Sequence, residues 1–496
     1  MKSIMLIAGE ASGDLLAAEL VGAIRASAIK RGWEFPPEFF GAGGPHMAAA
    51  GVKLEIDLTQ HAVFGITDVL KQYLKFRRLF RRLFELAVEL APEVIILVDF
   101  GGFNLRFARA IKRFVEARAG LFRNWRPKII YYVSPQVWAS REGRAYQLAQ
   151  CVDLLLSILP FEKAWYAARV PHLSVEFVGH PIIDRHSSPE RRERGSESQD
   201  LTGARGLAVS MWPLPVGAAV LPHPDLLPPR EGKTSPSEQT AVPAPYAESR
   251  RTILPLPRGE GRGEGEGRAQ SSVVVSTNSE ALGRDHGDTR RLTGSPTHPL
   301  VLLLPGSRRR ELEAHLPILV EAARRIQSVQ PVRLRMILPS AELAEAAKRA
   351  NSHWPMLEVC CHSLAESLAE AQVALACSGT VTLECALFRV PTVVVYRTSR
   401  LTYEIGKRIV AVKYIAMPNL LAGQLVFPEF IQGDATAENV AEEALNLLHH
   451  PDRVATIKST LTKVIDSLGP PGASRRAAEA VIELLESSES PGAPSR

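Results

Sequence analysis

Ser378-Gly379-Thr380 follow an apolar run at residues 373–376 and precede a helical pattern through Ala386 and Leu387. A strand, a turn of small residues and a helix start aim backbone N–H groups and a positive dipole end at one point. Phosphate is the usual occupant of such a point. Glu384, one turn further on, stands where a carboxylate can accept hydrogen bonds from ribose hydroxyls. The same residue types also make an ordinary capped helix with a salt-bridged glutamate. Gly306-Ser307-Arg308 repeat the strand–turn–helix pattern and add a guanidinium. Two such junctions in one half of a chain can converge on a diphosphate, with arginine as a charged clamp. Asp99 ends the β-branched run 93–98, at the edge where open α/β sheets bind ligands. From position alone it reads equally as a helix cap or an acid–base group.

The elements that must position these residues alternate along the chain. Residues 4–8 form an apolar run into the glycine turn Gly9-Glu10-Ala11-Ser12-Gly13-Asp14, where Ser12 or Asp14 can cap a helix. Strand patterns recur near 39–40, 93–98, 128–133 and 153–159, with helical patterns between them. That alternation predicts a mainly parallel sheet. The pattern restarts at 300–304 and continues through strands at 333–338, 357–360, 373–376 and 392–396. Residues 414–432 read as loop, and helices at 435–448, 453–468 and 475–486 finish the chain.

Between the halves the composition changes. Residues 187–299 hold 14 of the 36 prolines and 13 of the 35 glycines, with no sustained periodicity, so they read as a disordered insertion. The expected organisation is therefore a Rossmann-like domain at 1–186, the insertion at 187–299, a second Rossmann-like domain at 300–450 and terminal helices at 451–496. Those last helices could cross back to the first domain or to a partner subunit.

At 496 residues the chain is too long for one core. No apolar run approaches the ~18 residues that span a bilayer, and the first residues lack a signal-peptide pattern, so the expected location is cytoplasmic. The five cysteines show no metal spacing and read as reduced thiols. A net charge of +6 permits an anionic partner. A helix expected over 68–90 carries Lys71, Lys75, Arg78 and Arg82 as one basic stripe beside abundant leucine and phenylalanine. It reads either as a solvated face or as a surface for an anionic membrane.

The motifs Gly9-Glu10-Ala11-Ser12-Gly13-Asp14, Gly44-Pro45-His46-Met47, Tyr132-Val133-Ser134-Pro135-Gln136-Val137-Trp138, Leu159-Pro160-Phe161-Glu162-Lys163, Leu304-Pro305-Gly306-Ser307-Arg308, Ser378-Gly379-Thr380 with Glu384, and Pro418-Asn419-Leu420-Leu421-Ala422-Gly423 occur in this order. Together they resemble the lipid-A-disaccharide synthase family. The resemblance implies an α/β fold of GT-B architecture, two Rossmann-like domains facing a cleft, with no cofactor and no metal. It implies transfer from UDP-2,3-diacylglucosamine to 2,3-diacylglucosamine 1-phosphate with inversion, at the inner-membrane surface, and it makes a homodimer plausible.

On that resemblance Asp99 is the catalytic base. Gly306, Ser307, Arg308, Ser378, Gly379, Thr380, Glu384, Asn419, Glu429 and Gln432 face the UDP donor. Glu10, Ser12, Gly13, Asn104, Ser134 and His180 line the acceptor side, and the Lys71–Arg82 stripe faces the membrane. The chain departs from the family where Gln424 replaces a usual arginine, where Gly101 and Ser140 replace a proline and a tryptophan, and in the insertion. Two other readings remain at this stage: a UDP-sugar epimerase of the same fold, and a UDP-sugar-binding protein without catalysis.

Overall fold

The structure is a computed structural model and describes residues 2–58, 69–118, 125–187, 298–351, 354–361 and 363–487. The insertion expected at 187–299 falls outside the described residues, except at its margins.

Seven strands form the first sheet: β1 (Ser3–Ala8), β2 (Glu38–Gly43), β3 (Lys53–Asp57), β4 (Val94–Val98), β5 (Lys128–Tyr132), β6 (Leu154–Ser157) and β7 (Val175–Phe177). Their order is β3-β2-β1-β4-β5-β6-β7, every pair parallel. The second sheet holds β8 (Leu300–Leu304), β9 (Arg333–Ile337), β10 (Leu357–Cys360), β11 (Ala371–Cys377), β12 (Thr392–Tyr396) and β13 (Glu429–Ile431). It runs β10-β9-β8-β11-β12-β13, again all parallel. Parallel strands need crossover helices on both faces, so their residues are buried on both sides and read as unbroken apolar runs. Residues 4–8, 94–98 and 300–303 are accordingly buried throughout.

Strand order reverses between β1 and β4 in the first sheet and between β8 and β11 in the second. At such switch points neighbouring crossovers leave in opposite directions and a crevice opens at the carboxyl ends. Glu10, Asp99, Arg308 and Ser378-Gly379-Thr380 all follow these four strands directly.

Alternate residues of one strand feed opposite cores. On β5, Ile130 and Tyr132 join the layer containing the helix Ala11–Lys30, while Ile129 and Tyr131 join the layer containing the helices Val69–Leu90 and Gly101–Ala117. The last helix, Ala473–Ser487, returns to the first sheet. Its Ala477, Ala478, Val481, Ile482 and Leu485 share a core with Leu16, Leu20 and Ile24. Arg31 pairs with Glu486 at 2.6 Å and Glu483 at 3.2 Å. Asp184 caps the helix start, accepting from the N–H groups of Gly472 (2.6 Å), Ala473 (3.2 Å) and Ser474 (3.1 Å).

The segment read as loop over 414–432 is more ordered than its sequence signals. It contains the helix Met417–Ala422 and the three-residue strand β13. The short strands β3 and β7 and the helix Arg400–Ile409 also lie outside the elements expected from pattern. A three-residue strand carries too little periodicity to be read.

Asp184→Ala removes the acceptor for three terminal N–H groups. It should lower the urea midpoint by the equivalent of about 1–2 kcal/mol, as lost N-caps do. An unchanged midpoint would contradict the capping role.

Candidate active site

Asp99 and Phe100 both adopt left-handed backbone conformations, with φ of 49° and 53°. Two consecutive non-glycine residues there are strained, and strain persists only where surroundings over-determine it. The surroundings are visible. The Asp99 N–H donates to the Tyr132 carbonyl at 3.0 Å. The Asp99 carbonyl accepts from Asn104 Nδ2 at 2.7 Å and from the Tyr131 hydroxyl at 2.8 Å. Asn104 Nδ2 also lies 3.2 Å from the Val98 carbonyl. The Phe100 ring occupies the space a Cβ at Gly9 would need, the nearest ring atom being 2.2 Å from that position. Only glycine fits there.

Asp99 as a whole is half-buried in this turn. Burial, and then the neighbouring Glu10 carboxylate, push its pKa up to about 7, against the opposing pull of the Phe100 N–H and Arg308. A carboxyl that titrates near neutrality can accept a proton efficiently at physiological pH.

Arg308 belongs to the other sheet and reaches Glu10 across the cleft at 3.1 Å. Both side chains remain about 40% exposed (45% and 38%), so the pair is screened and readily exchanged for another anion. At the root of Arg308, Gly306 has a φ of 123°, and an added Cβ would lie 2.7 Å from the side chain of Glu311. Glu311 Oε2 accepts from the N–H groups of Ser307 (2.9 Å) and Arg308 (3.3 Å) at the start of the helix Arg309–Val329. The anion at this helix start is thus the chain's own glutamate, and Arg308 is the group directed outward.

The second junction differs in detail from the expectation. Ser378 gives its N–H to the Val395 carbonyl at 3.1 Å and its hydroxyl to Ile415 at 3.0 Å, so both donors are spent on the scaffold. The helix that follows, Val381–Leu387, has seven residues and a correspondingly small dipole. Gly379 and Thr380 line a cavity of about 30 Å³, together with Ser134, Gln136, Glu162 and His180 from the first sheet's loops. That volume holds one water-sized group. Ser134 meets the Tyr166 hydroxyl at 3.0 Å. His180 Nδ1 accepts from the Ile182 N–H at 3.1 Å, and burial, seconded by Arg185, lowers its pKa to about 3, so the ring is neutral. Glu384 is partly buried and its pKa rises to about 7, with Arg185 opposing the rise.

Several expected contact residues act as braces. Asn419 is fully buried; its amide donates to the Phe427 carbonyl (2.7 Å) and to Glu429 (2.8 Å), and its oxygen accepts from Val426 and Phe427 (2.8 and 2.7 Å). Glu429 also accepts from the N–H groups of Ile415 and Ala416. Gln432 clamps both backbone groups of Thr398, at 2.8 and 3.0 Å. These three residues spend those groups on shaping the loop. Asn104 likewise serves the Asp99 turn through its buried amide. Ser12 and Gly13 are buried in the first turn of the helix Ala11–Lys30.

Two residues of consequence went unassigned in the sequence. Glu162, within the Leu159-Pro160-Phe161-Glu162-Lys163 motif, is buried beside the cavity and accepts from Trp138 Nε1 at 3.0 Å; burial raises its pKa to about 7. Tyr131 was hidden in an apolar strand pattern. Of the basic stripe, Arg78 and Arg82 are exposed, whereas the side chains of Lys71 and Lys75 lie outside the described residues.

Two parallel Rossmann-like sheets, with charged groups from both meeting at their switch points, define a protein of GT-B architecture. Among solved structures the chain resembles a putative UDP-N-acetylglucosamine 2-epimerase from Listeria monocytogenes (TM-score 0.53, 12% identity, all of both chains covered). It also resembles an S. aureus MnaA–UDP co-structure (TM-score 0.52, 11% identity, again all of both chains). At that identity the likeness is one of fold. The lipid-A-disaccharide synthetase family matches residues 4–209 and 284–483. Relatives named lipid-A-disaccharide synthase from Geobacter metallireducens and Syntrophus aciditrophicus are each 31% identical over 98% of this chain, and 97% and 99% of their own. The chain belongs to the lipid-A-disaccharide synthase family, hexosyltransferases of lipid A biosynthesis.

If Asn419 is a brace, its loss matters without any ligand. Asn419→Ala leaves buried N–H groups at Val426 and Phe427 unpaired and should destabilise the ligand-free protein by about 2 kcal/mol or more. A ligand-free melting temperature equal to wild type would return Asn419 to a ligand-contact role.

Proposed function

We propose that Asp99 is the general base of an inverting transfer from UDP-2,3-diacylglucosamine to the 6-hydroxyl of 2,3-diacylglucosamine 1-phosphate. The Asp99 carboxylate takes the hydroxyl proton as the oxygen attacks the anomeric carbon. The bond from that carbon to the diphosphate oxygen breaks, and UDP leaves with the electron pair. The products are the β(1→6) disaccharide and UDP. The observation that carries the reading is the carboxyl of a half-buried aspartate, titrating near 7, held beside a cation from the opposite sheet. The donor half is the second domain. Arg308 exchanges Glu10 for the donor diphosphate and stabilises the charge that develops on it. Gly379 and Thr380 border the diphosphate, and Glu384 accepts from the ribose. Asn419, Glu429 and Gln432 shape the loop that closes over the sugar.

The acylated substrates enter from a membrane along the helix Val69–Leu90. Arg77, Arg78, Arg81 and Arg82 are exposed on it, while Leu83, Leu86 and Ala87 are buried. Aromatic rings continue from this helix to the catalytic turn, Phe80 to Phe103 at 5.5 Å and Phe103 to Phe100 at 5.3 Å between centroids. Among the described residues no helix is long and apolar enough to cross a membrane. Peripheral attachment through the basic helix supplies the access the substrates need. A homodimer by exchange of the C-terminal helix belongs to the same proposal, since the Asp184 cap and the Arg31 pairs would form equally between two copies.

Asp99→Asn should abolish acceptor-dependent UDP release while UDP binding is kept; near-wild-type turnover sinks the base assignment. The base acts when deprotonated, so kcat/KM should rise with pH through about 7 and level off above. Glu10→Gln removes a carboxylate that raises the Asp99 pKa and should move that limb to lower pH, and a limb that stays in place would argue against coupling. Replacing Lys71, Lys75, Arg78 and Arg82 with serine should weaken flotation with vesicles containing anionic lipid. Equal flotation of both proteins would end the membrane proposal.

A further inference from the structure

The catalytic turn depends on a group that contacts no ligand. Tyr131 is wholly buried on the face of β5 that packs against the helix Gly101–Ala117. Its hydroxyl reaches the Asp99 carbonyl at 2.8 Å, and Asn104 Nδ2 reaches the same oxygen at 2.7 Å from the other element. One carbonyl oxygen therefore has both lone pairs taken, by donors from a strand and a helix. That carbonyl lies between two residues held at φ of 49° and 53°, a conformation Asp tolerates better than most residues but one that costs a bulky Phe energy without support. The direction of a carbonyl fixes its peptide plane, and the plane fixes where the preceding side chain points.

We propose that Tyr131, through its hydroxyl, is a positioning residue that holds the strained Asp99 peptide so that the Asp99 carboxyl faces the cleft. The inference rests on the reading of Asp99 as the base. Packing alone does not account for a phenol here, since a phenylalanine would fill the same space. The neighbouring Tyr132 makes the contrast: equally buried, it lies on the opposite face of the sheet, and its hydroxyl is not among the donors to the Asp99 carbonyl. The Tyr131 hydroxyl remains a donor at every accessible pH, because burial and then the nearby Asp99 raise its pKa well above the ordinary value. Without it the peptide can relax toward an ordinary conformation and carry the carboxyl out toward water.

The test uses the full chain and both lipid substrates. Tyr131→Phe should lower kcat by about tenfold or more, as small misplacements of a reacting group do, with KM for each substrate within about twofold. The acid limb of its kcat/KM profile should move below the wild-type position, toward the usual carboxylate range. Should Tyr131→Phe fail to fold, Asn104→Leu removes the other donor and must give the same split between kcat and KM. Wild-type kcat and an unmoved limb in Tyr131→Phe overturn the proposal. An active Asp99→Asn would instead overturn the base assignment beneath it, so the two failures are distinguishable.

Discussion

Parallel strands cannot be joined by tight turns, and everything else in this molecule follows from that constraint. Each connection crosses a face of the sheet through a helix, which buries the strands on both sides and forces their loops to the ends. Where successive crossovers take opposite faces the loops part. Each sheet does this once, β1 against β4 and β8 against β11. The chemistry-bearing segments occupy the carboxyl ends of those four strands, and the two sheets face these ends toward each other closely enough for Glu10 and Arg308 to pair.

The electrostatics of the cleft are those of a site awaiting an anion. Glu10 acts on two neighbours, pairing with Arg308 and raising the pKa of Asp99. On the proposed reading, a donor diphosphate that takes Arg308 would remove the cation that lowers the Asp99 pKa and add negative charge nearby, and both changes would make Asp99 a stronger base. Glu311 meanwhile accepts from the Ser307 and Arg308 N–H groups at the helix start. The C-terminal helix is a second tie between the ends of the chain, since the layer beside β1 is completed by residues more than 450 positions away.

Much of this was legible in the order of residues. The apolar runs marked the buried strands, the small-residue turns marked the crevice, Asp99 and Arg308 could be named from their places after strands, and Glu10 from the family resemblance. Several groups expected to face a ligand are engaged within the fold itself. Ser378, Asn419, Glu429 and Gln432 have the polar groups a ligand site needs, yet the folded loop uses those groups itself. A polar side chain in a motif does not reveal whether its partner will be a ligand or the backbone two strands away. Glu162 and Tyr131 were missed for the converse reason, one lying in a motif with no role read for it and the other in a core strand.

Sequence by itself therefore determined the class of fold, the two halves and the identity of the charged groups, because hydrophobic periodicity and turn chemistry are local properties. Tertiary structure decided which groups meet. The Asp99 pKa depends on Glu10 and Arg308, residues 89 positions before it and 209 after it in the chain. The Asp99 backbone carbonyl is held by Tyr131 and Asn104, which approach it from a strand and a helix. Coulombic and hydrogen-bond energies fall off over a few ångströms, so they are set by distances in space, and those exist only once the two sheets have packed.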